Sequence, residues 1–426
     1  MSPRPVALGL RENLAQFSLL VAVTAFVGAM VGLERTTLPL IGREDFGLGS
    51  SAAVLSFIVA FGLAKSLTNL AAGALADRLG RRRLLILGWT LALPVPLLIG
   101  VAPSWGWVVA ANVLLGMSQG FAWSMTVVMK IDLVGPRRRG LALGLNEAAG
   151  YGGVAIAAAL SGWLAAGSGA REVLVGAGAA IAVAALIVSV AFVRDTAAHL
   201  TLEQAGHRDT SQGEAPRLRE IFGEATRRSP TLRSCSQAGL ANNLNDALAW
   251  GLVPLYLVAG GAGLGQVGLV AGLYPAVWGI GQIWTGHWSD TVGRKPLIVA
   301  GMLVQAAALG ALAASGGALV AAAASAILLG LGTALVYPTL IAAISDSVAP
   351  VARAGTIGVY RFFRDIGYVA GGLLAGGLAD LLGFSGAIAV VAVLTAGSGL
   401  WVALDMPGRT GPAVPRPERR GAQSAA

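Results

Sequence analysis

Eight charged residues stand inside stretches of sequence that are otherwise apolar: Glu34, Arg35, Lys65, Glu147, Asp246, Arg361, Arg364 and Asp365. A charge near the centre of a bilayer costs at least about 2.5 kcal/mol on insertion scales, so such residues are functional candidates by default. Four are acids and four are bases, which allows mutual neutralisation. The chemistry open to such a set is the making and breaking of ion pairs, carriage of a proton on a buried carboxyl, and recognition of a charged solute. Burial disfavours the charged form of a carboxyl, which makes Glu34, Glu147 and Asp246 the candidate proton carriers. The lysine and arginines favour a solute with an anionic group.

The neighbours of these residues extend the candidate set. Asn146 adjoins Glu147, and Asn242, Asn243 and Asn245 crowd Asp246. Gln119 and Trp123 are spaced i, i+4, and Tyr337 precedes Pro338 in a later apolar run, where a bend is available. Arg361, Arg364 and Asp365 share one helix face by their i, i+3, i+4 spacing, so a local Arg361–Asp365 pair is the simplest structural reading. Glu34 and Arg35 are adjacent and so point about 100° apart on a helix. Both are kept as functional candidates, with the alternative that they lie near the outer end of the first run and simply snorkel to the interface. Lys130, at the end of the fourth run, reads as another snorkelling anchor, whereas Lys65 is too deep for that.

The elements that must position these groups are transmembrane helices. The chain has 426 residues, 55% hydrophobic and only 12% charged, where a soluble domain carries about 25% charged residues. A helix needs roughly 20 apolar residues to cross the hydrocarbon core. Twelve runs meet this: 14–41, 51–76, 82–102, 106–129, 140–166 and 172–193, then 236–259, 264–285, 296–315, 317–345, 354–382 and 384–404. The fold class expected is therefore an all-α membrane protein of two six-helix bundles, 14–193 and 236–404. A short N-terminus over 1–13, a charged linker over 194–235 with room for a surface helix, and a disordered tail over 405–426 complete the division. The first run is too long for a signal-peptide core and is read as an uncleaved helix.

Charge placement sets orientation. Of 30 Lys and Arg, only Arg43 and Arg171 fall in the odd-numbered connections, and most of the rest lie in the N-terminus, the even-numbered connections, the linker and the tail. The positive-inside rule then puts both termini in the cytoplasm of a multi-pass protein of the cell (inner) membrane. The net charge of +9 follows topology and forms no single patch, which removes the nucleic-acid reading. The two halves also repeat. Gly73-Ala74-Leu75-Ala76-Asp77-Arg78-Leu79-Gly80-Arg81-Arg82 is echoed 213 residues later by Gly286-His287-Trp288-Ser289-Asp290-Thr291-Val292-Gly293-Arg294-Lys295. An offset of 214 pairs Leu114-Leu115-Gly116 with Leu328-Leu329-Gly330, Asp132 with Asp346, Arg139 with Arg353, Trp123 with Tyr337, and Glu147 with Arg361. Duplication of a six-helix unit is a transporter architecture. It sets an acid and a base at related positions of the two halves, where Glu147 and Arg361 or Arg364 would pair in one conformation and part in another.

At these residues the chain resembles the major facilitator superfamily, whose G-x-L-A-D-R-x-G-R-R signature lies between the second and third helices. Gly73 to Arg82 matches it, Gly286 to Lys295 is a weaker copy, and Arg137-Arg138-Arg139-Gly140 before the fifth helix is similar as well. The resemblance covers about residues 14 to 404. It implies alternating access, with Gly73, Asp77, Arg78, Gly80 and Arg81, and in the second half Asp290, Gly293 and Arg294, forming the conformational gate that latches the halves on the cytoplasmic side. It also implies that helices 1, 4, 7 and 10 line the central cavity. Two departures separate the chain from the drug-exporting branch: Asn112 stands near where those members carry an arginine in helix 4, and helix 5 has Gly150, Gly152 and Gly153 but no proline.

Other classes are excluded by what is missing. No G-x-x-x-x-G-K-[ST] loop is present, and Gly263-Leu264-Gly265-Gln266-Val267-Gly268 follows no strand, so no nucleotide cofactor is expected. His199, His207 and His287 have no metal-ligand spacing and form no nucleophile–base set, so neither a metal site nor a catalytic residue is expected and the chain is not read as an enzyme. The lone Cys235 allows no intramolecular disulfide. The partners expected are a small-molecule substrate, a coupling proton and the lipid bilayer, with the chain acting as a monomer. The function expected is proton-coupled export by antiport, and the alternative is a symporter importing a charged or anionic metabolite. An alkaline phosphatase fusion after Gly47 should be active and one within the linker inactive; the reverse pattern would overturn the orientation.

Overall fold

A computed structural model describes residues 6–135, 139–205 and 216–408. The first half comprises α1 (Leu14–Glu44), α2 (Ser51–Leu79), α3 (Arg81–Ala92), α4 (Pro94–Gly100), α5 (Trp105–Val134), α6 (Arg139–Ser168) and α7 (Ala170–Ala191). The third crossing is divided between α3 and α4 because Pro94 and Pro96 cannot donate backbone hydrogen bonds to the preceding turn. Two short helices follow, α8 (Ala197–Ala205) and α9 (Leu218–Gly223). The second half comprises α10 (Pro230–Ala247), a π-helical turn (Leu248–Leu252), α11 (Val253–Ala259), α12 (Leu264–Val292), α13 (Arg294–Ala314), α14 (Leu319–Ser347) and α15 (Pro350–Asp405).

Ten helices among the described residues are long and apolar enough to cross a membrane. The count differs from twelve for two local reasons. The long α15 holds two crossings, joined at Gly383, whose φ of 73° breaks the helix. The seventh crossing is assembled from α10, the π turn and α11, and its asparagines and Asp246 keep it from counting as apolar. Pro254 removes a backbone donor just after the π turn, which accounts for the widening there. Twelve crossings in two six-helix bundles result. Ser229 caps α10 by accepting a hydrogen bond from the Leu232 amide, so the seventh crossing starts at Pro230, earlier than the run at 236.

The repeat seen in the sequence has a structural counterpart. Gly80 and Gly293 occupy equivalent turns at φ 86° and 100°, a conformation that favours glycine and joins the second and third crossing of each half directly. Arg81 then pairs with Asp132 at 3.1 Å and Arg294 with Asp346 at 3.0 Å, the same bond made twice.

The halves meet along α2 against α15 and α6 against α12. At the end away from the signature turn the contact is tight. A side-chain carbon on Gly162 would lie 2.6 Å from the Gly268 Cα, so these two backbones touch. On the other seam Asp380 of α15 reaches the start of α2, accepting from the Ser50 hydroxyl at 2.6 Å and the Ala52 amide at 3.1 Å. A carboxylate from one half thus caps the N-terminus of a helix in the other, where free amides and the helix dipole both favour a negative charge. Toward the signature end the halves diverge around a cavity. Removing this cap by Asp380→Ala should lengthen the distance between spin labels at Glu44 and Leu381, by an effect on the order of 1 kcal/mol in the closed–open balance. An unchanged distance distribution would remove Asp380 from the closure of this end.

Candidate functional site

Four of the charged residues, Lys65, Asp246, Arg364 and Asp365, converge where α2, α10 and α15 meet. Asp365 is the hub. It receives the Lys65 ammonium at 3.6 Å, the Arg364 guanidinium at 3.9 Å, and hydrogen bonds from the side-chain amides of Asn69 and Asn243. Two of these donors, Lys65 and Asn69, belong to the first half, so the hub bridges the halves. Arg364 also lies 4.0 Å from Asp246 and donates to the Tyr151 hydroxyl at 3.1 Å. The Tyr274 hydroxyl donates to the other oxygen of Asp246. The local Arg361–Asp365 pair does not form, because Asp365 is turned toward α2 and α10; Arg361 makes no ion pair within 4.0 Å and no hydrogen bond among the described residues.

Aromatic rings wall this cluster. Arg364 lies 4.3 Å from the Tyr337 ring centre, and Lys65 lies 5.3 Å from that of Tyr368. Tyr151 and Trp278 meet across the halves, with ring centres 3.5 Å apart and planes tilted by 31°. Rings hold cations in place through their negative faces without neutralising them.

Snorkelling fails for Glu34 and Arg35. Each is 1% exposed, because α1 turns both into the bundle. Arg35 lies 4.3 Å from the Phe61 ring centre and 5.9 Å from that of Trp250, and its guanidinium nitrogens have no hydrogen-bond partner. Both carboxyl oxygens of Glu34 are likewise unpartnered. Lys130 does not snorkel either; it is 1% exposed and donates to the Thr24 hydroxyl at 2.6 Å and the Leu20 carbonyl at 3.1 Å.

Other sequence candidates divide into separate networks. Thr24 donates to the Asn146 side chain at 3.2 Å, which donates in turn to Glu147 Oε1 at 3.0 Å; Trp123 Nε1 donates to the same oxygen at 3.2 Å. Gln119 donates to the Val27 carbonyl at 3.1 Å and ties α5 to α1. Asn245 and Asn242 turn away from the charged hub. Asn245 donates to Gln305 at 2.8 Å and accepts from Thr395 at 2.8 Å, while Gln305 donates to Asn242 at 3.1 Å. Within one polar run of helix 7, only Asn243 and Asp246 face the hub.

Among the gate residues, Arg81 and Arg294 bind acids of their own halves, and Asp290 adds a second partner to Arg294 at 2.7 Å. Arg78 is exposed. The side chains of Gly73 and Asp77 lie outside the described residues, as do 136–138 and 206–215 of the basic connections.

A cavity of about 760 Å³ lies between the halves toward the signature end. Its lining includes Leu145 and Glu147 from α6, Ile283 and Asp290 from α12, Tyr337, Pro338 and Ile341 from α14, and Arg361 from α15. Pro338 remains inside a continuous α14. A smaller void of about 20 Å³ is ringed by Lys65, Asn69, Trp123, Tyr151, Arg364 and Asp365 and shares Tyr337 and Arg361 with the cavity. The arrangement is a cavity with a charged floor, closed at one end and open at the other.

The model of the Major Facilitator Superfamily matches residues 14–241 and 236–425, so both halves are covered. The chain belongs to this superfamily. An uncharacterized MFS-type transporter of Salmonella typhimurium, STM4428, is 24% identical over 367 residues, 83% of this chain and 87% of that one. The MFS-type transporter YddS of Bacillus subtilis is 33% identical, but the match spans only 29% of each chain. The staphylopine export protein of Staphylococcus aureus is 42% identical over 60 residues, 14% of this chain and 15% of that one. The crystal structure of the nucleoside transporter NupG superposes with a TM-score of 0.73 at 12% identity, covering 92% of this chain and all of that chain, which establishes the fold. The protein is thus a multi-pass membrane transporter of the superfamily, which takes small-molecule substrates within the membrane.

Sequence reading missed the aromatic and amide partners of the charged cluster: Asn69, Tyr151, Tyr274, Trp278 and Tyr368. Asn69 follows Lys65, and Tyr368 follows Arg364, by four residues each, a spacing that could have marked both as sharing a face with a buried charge. Nothing local distinguishes Tyr151 or Trp278. Arg364→Met should destabilise the protein by about 3–5 kcal/mol, because Asp246 is left buried without its cation. Adding Asp246→Leu should recover most of the loss in melting temperature. An unaltered melting temperature in the single variant would refute the pairing.

Proposed function

We propose that this transporter is a proton-coupled antiporter that exports a small organic solute carrying an anionic group. The observation that carries the reading is the pair of fully buried carboxyls on opposite halves, Glu34 and Asp246, each with oxygen left without a hydrogen-bond partner. Glu34 has neither ion pair nor hydrogen bond among the described residues, and Asp246 keeps one oxygen without a hydrogen bond, 4.0 Å from Arg364; protonation is the direct way to neutralise such a carboxyl when its cation is drawn elsewhere. Both lie close to cations, Arg35 and Arg364, and a third arginine, Arg361, lines the cavity where an anionic group of the solute would bind. Proton uptake and solute binding would then compete for the same charge balance, which is how a secondary transporter couples two fluxes. The signature end, with the linker and the arginine-rich connections, is taken as the cytoplasmic one, and the open cavity there is a solute-loading state. The local similarity to the staphylopine export protein supports export.

The alternative, symport of an anionic metabolite, differs in one measurable sign. In proteoliposomes with an imposed pH gradient, an antiporter accumulates solute in the acidic compartment and a symporter in the alkaline one, whatever the insertion direction. Glu34→Gln and Asp246→Asn should abolish accumulation while leaving solute counterflow at equal pH. Proton coupling is disproved if wild-type flux ignores the gradient.

A further inference from the structure

The charges of the hub are matched by the protein itself: Lys65 and Arg364 share Asp365, and Arg364 also serves Asp246. Glu34, Arg35 and Lys130 are buried away from the cavity lining. At the cavity mouth Asp290 is paired with Arg294 at 2.7 Å. Two charges facing the cavity remain over. Glu147 is 5% exposed, and its Oε2 has no hydrogen-bond partner. Arg361 has neither ion pair nor hydrogen bond among the described residues. Both line the cavity of about 760 Å³, yet no nitrogen of one comes within 4.0 Å of an oxygen of the other. They are also repeat mates, each eight residues beyond the arginine at the start of its helix, Arg139 and Arg353. One half therefore offers the chamber an unpaired acid, and the other offers an unpaired base at the related position.

We infer that the solute is zwitterionic: an amino-carboxylate whose ammonium engages Glu147 and whose carboxylate engages Arg361. A purely anionic solute would neutralise Arg361 but face the Glu147 carboxylate unpaired, and a purely cationic one would leave Arg361 uncompensated. Either leaves a charge in the chamber without its counter-ion, which a low-dielectric site penalises heavily. A zwitterion satisfies both at once and carries no net charge. The rest of the lining is mixed, with Leu145, Ile283, Pro338 and Ile341 beside Gln282, Ser289 and Ser345. Because the two groups belong to different halves, such a solute bridges the halves where they would otherwise meet directly, and its arrival or departure changes the force between them. The inference rests on the cavity being the solute chamber of the proposed antiporter and narrows its substrate class.

The test uses the full-length protein in lipid nanodiscs at a single pH. The probes are straight-chain ω-amino carboxylic acids of four to eight carbons, their N-acetyl derivatives, which are anions only, and their methyl esters, which are cations only. Binding is read by ligand-induced thermal shift and confirmed by counterflow in proteoliposomes without a gradient. The best amino acid should bind about tenfold more tightly than either derivative, a difference of about 1.4 kcal/mol. Glu147→Gln should erase the discrimination against the N-acetyl acid, and Arg361→Gln the discrimination against the ester. The inference is overturned if a singly charged derivative binds wild type as well as its parent, if no chain length binds, or if the folded variants keep the wild-type ranking. Should a variant fail to fold, the wild-type series alone decides. With no gradient imposed, loss of proton coupling would not alter the ranking, and a failed ranking would leave the coupling result standing.

Discussion

The interaction on which the rest depends is the neutralisation of Asp365. A carboxylate this deep, in a chain that spans a bilayer, persists only if cations and donors surround it. Lys65 and Arg364 approach it, with amides from Asn69 and Asn243. Because these partners come from α2, α10 and α15, satisfying one charge draws together one crossing of the first half and two of the second. Arg364 extends the demand to Asp246 and Tyr151, and Tyr151 to the ring contact with Trp278 on the second seam.

This linkage makes the two ends of the molecule interdependent. The seams α2–α15 and α6–α12 are each continuous rods, so contact at one end and separation at the other are two views of the same tilt. At the closed end the join is made by bare backbone, Gly162 against Gly268, and by Asp380 at the α2 N-terminus. Neither contact is apolar in the sense of a soluble core. In lipid the tails are as apolar as leucine, and close backbone approach and polar caps carry the specificity instead.

Membership of the superfamily and the twelve crossings were legible in the chain because each depends on short-range information. A run of apolar residues crosses a bilayer whatever its neighbours do. Gly80 and Gly293 announce turns because their backbone φ suits no other residue well. The candidate charges were legible too, since a charge in an apolar run is conspicuous wherever it folds. What the chain leaves open is depth: Glu34 and Arg35 stand near enough to a helix end for snorkelling to remain an alternative, and Lys130 reads as an anchor, but packing turns all three inward.

By itself, then, the sequence determined the class of protein, the number and order of crossings, the duplication, and which residues carry charge into the membrane. Tertiary structure alone decided how those charges are shared. It gave Asp365 to Lys65 and Arg364 and not to Arg361, sent Asn242 and Asn245 to Gln305 while turning Asp246 to the hub, and left Glu147 and Arg361 facing a common cavity without each other. The physical reason is range. Hydropathy and turn chemistry act within a few residues, whereas an ion pair or an unpaired charge is defined by atoms within 4 Å that the chain delivers from hundreds of residues away.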